Sequence, residues 1–401
     1  MTPILPGATI GLLGGGQLGR MTALAARVLG YGVRALDPDP FCAARAVSDE
    51  VLTAPFDDED AVIRLARGAD VLMPEIEQIS TRGMARAAEI VPVRPGAAVL
   101  EIVQDRARQK EWLRGHGFPV GPYETVSTPD EFVRAVRALT GASIAKVAAG
   151  GYDGRGQASV LDPLHAEEAW RAIGGRRCVV EQRLSLAMEL SVCVARRPSG
   201  AHAVYPVSLN QHEQQVLAWA VLPAPISPEL ARQARALAVD IALTLQVEGL
   251  LVVELFVTSD GGLLVNELAP RPHNTFHSTE LACATSQFEQ AVRAICDLPL
   301  GDTTAARPAA IVNLFGDLWL SDRAPPFDEA LAVRGTRLHL YGKRARPGRK
   351  MGHLVAVGET PDAAVAAVHE AHRRLLGHEP SAEELGATAR LRAGNDPEDN
   401  E

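Results

Sequence analysis

The sequence predicts a multidomain protein of mixed class, opening with an α/β parallel sheet and continuing as α+β. Three observations lead there. A glycine-rich turn joins an apolar strand to a helix within residues 8–29, strand-like and helix-like runs then alternate to residue 89, and residues 250–274 form an apolar hairpin interrupted by two carboxylates. Strands alternating with helices give a parallel sheet whose ligands sit beyond the carboxyl ends of the strands. At 401 residues the chain is long enough for two or three domains and a large core.

Composition narrows the function. With 47% hydrophobic and 22% charged residues and a net charge of −9, the chain argues against a general nucleic-acid or anionic-membrane partner. Its five cysteines form no C-x-x-C and read as reduced core thiols. The first residues lack a basic leader and no 18-residue apolar run follows, so a cytoplasmic location is expected. Of 40 basic residues only Lys110, Lys146, Lys343 and Lys350 are lysines. That bias ranks these four as sites where a compact point charge is needed.

Residues 8–13 read as a buried strand and run into Gly14-Gly15-Gly16-Gln17-Leu18-Gly19, after which a helix extends to about residue 29. Residues 33–36 give a second strand ending at Asp37, where an acid would meet a ribose in a dinucleotide fold. This predicts NAD if taken alone. Glycines before a helix N-terminus only let backbone N–H groups approach an anion, however, and a substrate phosphate would satisfy them equally. A helix over 57–67, a strand over 70–73 and a helix near 83–89 follow, with Glu75 and Glu77 at a strand end where substrates bind.

The basic helix 105–116 sets Arg106 and Lys110 four apart on one face and leads into a second domain. Lys146 lies in a β-prone apolar run, where an unpaired ammonium is costly and needs an anion. Beyond it, residues 150–156 pack four glycines into seven positions, a flap whose N–H groups can cradle phosphates. Residues 178–182 form a strand ending in Glu181 and Gln182, residues 186–195 alternate around Glu189, and a helix over 228–246 delivers the chain to the hairpin.

In that hairpin Asp260-Gly261 is expected as a two-residue turn, which sets Ser259 against Gly262 and places Glu254 opposite Glu267. Facing carboxylates at an effective dielectric of about 20 repel by roughly 4 kcal/mol at 4 Å. A shared proton or a divalent cation relieves them; a register slip or an exposed sheet face is the plain alternative. Arg271, His273 and Asn274 follow at once, so carboxylates and anion-binding groups together outline Mg²⁺ holding a phosphate. A helix is expected over 278–297. Residues 341–353 then place five basic residues in ten from Lys343, a pocket for one anionic substrate, and residues 379–401 read as a frayed tail.

The segments GGGQLGRM, GGYDGRGQ after Lys146, VELFV with NELAPRPHN, and YGKRARPGRKMGH, in this order, resemble the N5-carboxyaminoimidazole ribonucleotide synthetase family of ATP-grasp enzymes. The similarity covers about residues 8–375. It implies a three-domain ATP-grasp fold: an N-terminal pre-ATP-grasp domain at 1–104, a lid with its entry helix at 105–185 and a C-terminal domain at 186–378, in a homodimer. It also implies carboxylation of 5-aminoimidazole ribonucleotide by bicarbonate and ATP, with Mg²⁺, or Mn²⁺, as cofactor. Site residues carry over by position. Arg106, Lys146, Gly151, Tyr152, Asp153, Gly154, Arg155, Gly156, Gln157, Glu181, Gln182, Leu184, Glu189, His212, Asn266 and Glu267 would bind ATP, and Glu254 and Glu267 the metal. Gln17, Leu18, Gly19, Glu75, Tyr152, Arg271, His273, Lys343, Arg349 and Lys350 would bind the ribonucleotide, and Asp153, Arg271, His273 and Lys350 would act in catalysis. Asp153 or His273 is the candidate base.

Overall fold

The computed structural model describes residues 2–139, 141–150, 156–213, 216–320 and 324–378. The flap residues Gly151, Tyr152, Asp153, Gly154 and Arg155 and the tail at 379–401 lie outside the described residues. The chain divides into two compact units, one of residues 1–100, 190–252 and 269–401, the other of residues 101–189 and 253–268.

The first unit begins with β1 (Thr9–Leu13), α1 (Gln17–Val28), β2 (Gly32–Asp37), β3 (Glu50–Thr53), α2 (Glu59–Ala66), β4 (Val71–Pro74) and α3 (Thr81–Ala87), and α4 (Ala97–Val103) spans the division at residue 100. The strands make a parallel sheet in the order β3-β2-β1-β4, as the alternation predicts. Ile10, Leu12, Val33, Ala35, Val71 and Met73 are buried in it, which is why these strands read as continuous apolar runs.

The second unit starts with α5 (Arg106–Gly115), β5 (Tyr123–Val126), α6 (Pro129–Ala138), β6 (Ser143–Val147), β7 (Gln157–Val160), α7 (Ala166–Ala172) and β8 (Cys178–Gln182). Asp105 caps α5 by accepting from Ala107 N and Arg108 N, and Thr128 and Glu131 form a capping box on α6. Strands β5-β8-β6-β7 pair antiparallel in that order. Phe132, Val136, Ala145, Val147, Cys178 and Val180 form the core between this sheet and its helices.

The chain continues through β9 (Leu186–Arg196), β10 (His202–Val204), β11 (Ser208–Glu213), β12 (Val216–Leu222), α8 (Pro228–Thr244), β13 (Gly249–Thr258) and β14 (Leu263–Ala269). It ends with α9 (Thr279–Ala282), α10 (Gln287–Ile295), β15 (Ala309–Phe315), α11 (Phe327–Leu331), β16 (Thr336–Leu340), β17 (Lys350–Val357) and α12 (Pro361–Leu376). Strands β11, β12, β15, β17 and β16 pair antiparallel in succession. The single helix expected over 278–297 is two helices, because Cys283 is extended and Ser286 caps a new start by accepting from Glu289 N. Among the described residues no helix is long and apolar enough to cross a membrane.

Candidate active site

In the second unit three cations and three carboxylates converge. Arg106 opens α5 and Lys110 lies one turn on, so both point the same way. Across the sheet, Ile144 of β6 faces Glu181 of β8, which places Lys146, two residues further along the same face, diagonal to that carboxylate. Lys110 Nζ and Lys146 Nζ each lie 3.1 Å from Glu181, and all three side chains are at most 11% exposed. The anion that buried Lys146 requires is therefore Glu181. Burial alone would raise the Glu181 carboxyl, but the two ammonium groups prevail and hold it at about 2. Burial lowers the Lys110 ammonium below its ordinary value against the pull of Glu181.

Arg106 Nη1 meets Glu267 Oε2 at 2.9 Å. Glu267 foremost, with Glu181 and Glu254 beyond it, holds this guanidinium above its ordinary pKa against the cost of burial. Beside this array a small cleft is lined by Lys146, Glu181, Gln182, Leu184, Phe256 and Val265. Its lining combines apolar side chains with charged and amide groups.

The hairpin differs from expectation by one residue. Gly261 N donates to Thr258 O and Thr258 N to Gly262 O, a three-residue turn with Gly261 in the left-handed region at φ +88°. This glycine bulge shifts the strands so that, counting back from Thr258 and Gly262, Glu254 faces Asn266 rather than Glu267. Asn266 Nδ2 accordingly donates to Glu254 Oε2 at 3.1 Å. The expected face-to-face repulsion is thus relieved by an amide and by Arg106. Asn266 Oδ1 remains buried with no hydrogen-bond partner. Glu254 and the unsatisfied Asn266 amide oxygen share a face and offer oxygen donors of the kind Mg²⁺ takes, whereas Glu267 is engaged by Arg106.

In the first unit the glycine-rich turn carries protein carboxylates. Glu75, just beyond β4, accepts from Gly16 N at 2.6 Å and Gly19 N at 2.8 Å, and Asp37 accepts from Gly15 N at 2.8 Å. These are the donors that a dinucleotide pyrophosphate or a ribonucleotide phosphate was expected to use. Gly16, the N-cap of α1, has no side chain to cap the helix, and Glu75 takes that role at the positive end of the helix dipole. Burial pushes the Glu75 carboxyl up to about 7 against those two bonds. Leu18 packs in the core with Met21 and Phe288, so its side chain does not reach a ligand. Gln17 instead accepts from Lys343 Nζ, joining the turn to the basic segment.

Arg271 Nε donates to Glu77 at 2.7 Å. Near it, the His273 imidazole is held well below its ordinary pKa, by burial first and then by Arg271, Lys350 and His212. Its ring Nδ1 lies 2.9 Å from Thr275 Oγ1, and Gln287 fixes its backbone N–H and C=O. Arg349 lies 3.7 Å from Asp39. Of the residues expected at the ribonucleotide, Gln17 and Lys343 meet each other and Arg271 and Lys350 lie by His273, where His212, expected at ATP, also lies; Arg106, Lys146, Gln182 and Leu184 lie about Glu181. Sequence reasoning assigned Lys110, Asp39 and Gln287 no role; the scarcity of lysine already pointed to the first, and nothing in the sequence marked the other two.

A parallel α/β sheet, a lid-like antiparallel sheet with a buried lysine, and an acidic hairpin beside it define the ATP-grasp class of ligases. Family models match accordingly: the ribonucleotide synthetase preATP-grasp domain over residues 7–104, the ATP-grasp domain over 111–288 and the phosphoribosylaminoimidazole carboxylase C-terminal domain over 309–367. The N5-carboxyaminoimidazole ribonucleotide synthase of Bacillus subtilis is 38% identical over 361 residues, 90% of this chain and 94% of its own length. That of Brucella melitensis is 40% identical over 359 residues, 89% of this chain and 98% of its own. The structure of the Aspergillus clavatus enzyme in complex with ADP and 5-aminoimidazole ribonucleotide superposes with a TM-score of 0.84 at 29% identity, covering 92% of this chain and 99% of that one. The chain belongs to the N5-carboxyaminoimidazole ribonucleotide synthase family.

Proposed function

We propose that the protein uses ATP to carboxylate 5-aminoimidazole ribonucleotide with bicarbonate, giving N5-carboxyaminoimidazole ribonucleotide, ADP and phosphate in purine biosynthesis. The observation that carries this reading is the array of Arg106, Lys110 and Lys146 on Glu181 and Glu267 beside the cleft. Bicarbonate is a poor electrophile, and a phosphoryl group passed to it yields carboxyphosphate. Such transfer needs positioning and charge neutralisation more than covalent help from the protein. Lys146 and Arg106 supply positive charge, and Glu181 holds both lysines in place. Glu254, Glu267 and Asn266 would hold Mg²⁺, which when bound neutralises phosphate charge.

On the other substrate, the amine attacks the carboxyl carbon, phosphate leaves and the nitrogen sheds a proton. Burial keeps the His273 imidazole neutral at pH 7, so it can accept that proton. Even a weakened base suffices, because the nitrogen turns strongly acidic once it has attacked. Lys343, Arg349 and Lys350 bring positive charge to the ribonucleotide phosphate, consistent with a glycine turn already filled by Glu75. We place the enzyme in the cytoplasm as a homodimer, which sedimentation of the purified chain tests.

The deciding experiment is ADP release with each substrate omitted in turn. Full turnover is expected only when ATP, bicarbonate and 5-aminoimidazole ribonucleotide are all present. Equal ADP release without the ribonucleotide would leave a bare ATPase and sink the assignment.

A further inference from the structure

We propose that Glu280, His339 and His353 form a second cation site, for a zinc-like divalent ion, at the edge of the antiparallel sheet. His339 of β16 and His353 of β17 are direct cross-strand partners, so their imidazoles share one face. Glu280 of α9 reaches them, its Oε2 lying 3.2 Å from His339 Nε2. One ligating atom from each of the three residues lies within 4.8 Å of the other two.

The second observation is that none of these atoms is satisfied. Glu280 Oε2, His339 Nε2 and His353 Nε2 are all buried and without a hydrogen-bond partner, despite the short contact between the first two. Buried acceptors brought together and left unpaired are costly unless something binds them. His353 Nδ1 meets the Tyr341 hydroxyl at 2.6 Å. If Nδ1 carries the proton and donates it, Nε2 is left as the ligating lone pair, the outer contact a metal-bound histidine ordinarily makes.

Two imidazole nitrogens and one carboxylate favour zinc-like ions over Mg²⁺, which takes oxygen donors, so this site is chemically distinct from that of Glu254 and Glu267. Glu280 and His339 are each 17% exposed, which gives an ion access and leaves room for water ligands. His339 and His353 stack with 12° between their planes. Both lone pairs meet one ion only after His339, the more exposed ring, turns out of the stack. The bound ion would tie α9 to β16 and β17, the strands that flank the basic segment.

The test loads the purified chain with Zn²⁺ in excess Mg²⁺, dialyses it, and measures retained zinc and its X-ray absorption fine structure. One equivalent is expected, with two imidazoles at about 2.0–2.1 Å and otherwise oxygen neighbours. Glu280→Gln and His339→Gln should each weaken retention by on the order of 10²-fold, and Tyr341→Phe by roughly 10-fold. No retained zinc, sulfur neighbours from cysteine, or retention unchanged in both ligand variants would overturn the site. Because the absorption spectrum is taken on the unmodified chain, a variant that fails to fold leaves the test intact.

Discussion

Glu181 holds two buried lysines at once, so its loss would strand both. Glu181→Gln is expected to cost about 3 kcal/mol or more at pH 7, the usual penalty for breaking a buried ion pair, read from urea unfolding. Its carboxyl is held at about 2 against an ordinary 4.5, so over that interval the unfolded chain binds more protons than the folded one. The stabilisation is therefore present above about pH 4.5 and lost as pH falls toward 2. The gap between wild type and variant should narrow between pH 5 and pH 3; a constant gap would refute the ion-pair account. The role proposed for Glu267 is in the chemistry instead. Glu267→Ala should lower kcat by on the order of 10² or more if this carboxylate holds the catalytic cation, and a near-normal rate would remove it from the metal site.

Two short elements depend on glycine for definite reasons. Gly14 has φ +107°, and a Cβ there would lie 2.6 Å from Glu75 Cγ. Gly14→Ala should therefore cost about 2 kcal/mol in chemical denaturation and raise the KM for the ribonucleotide, because Glu75 is displaced. A KM and stability matching wild type would show that the turn does not position Glu75. At the other glycine element, Asp-Gly correctly marked a hairpin, but the loop has three residues and a bulge. One residue of slip exchanged Glu267 for Asn266 as the partner of Glu254, since side chains alternate faces along a strand. Loop length is set by backbone pairing across the turn, which residue identity alone left open.

Across the whole molecule, acid and alkali act on different carboxyls. Glu75, pushed up to about 7 from 4.5, keeps its proton in the folded state after the unfolded chain has lost it. Its contribution is fully present below about pH 4.5 and is lost as pH rises through about 7. Melting temperature should thus fall between pH 5 and pH 8, and Glu75→Gln should flatten that fall; an unchanged slope would show that Glu75 is ionised throughout. The alternation of strands and helices, the four lysines, the acidic hairpin and the family resemblance were all legible in the sequence, because periodicity and residue type are local properties. Tertiary structure alone decided that Glu181 is the partner of Lys110 and Lys146, that Glu75 fills the glycine turn where a phosphate was expected, and that Glu280 meets a cross-strand histidine pair. Each of these contacts joins residues far apart in the chain, and only the packing of sheets and helices determines which carboxylate arrives at which cation or N–H group.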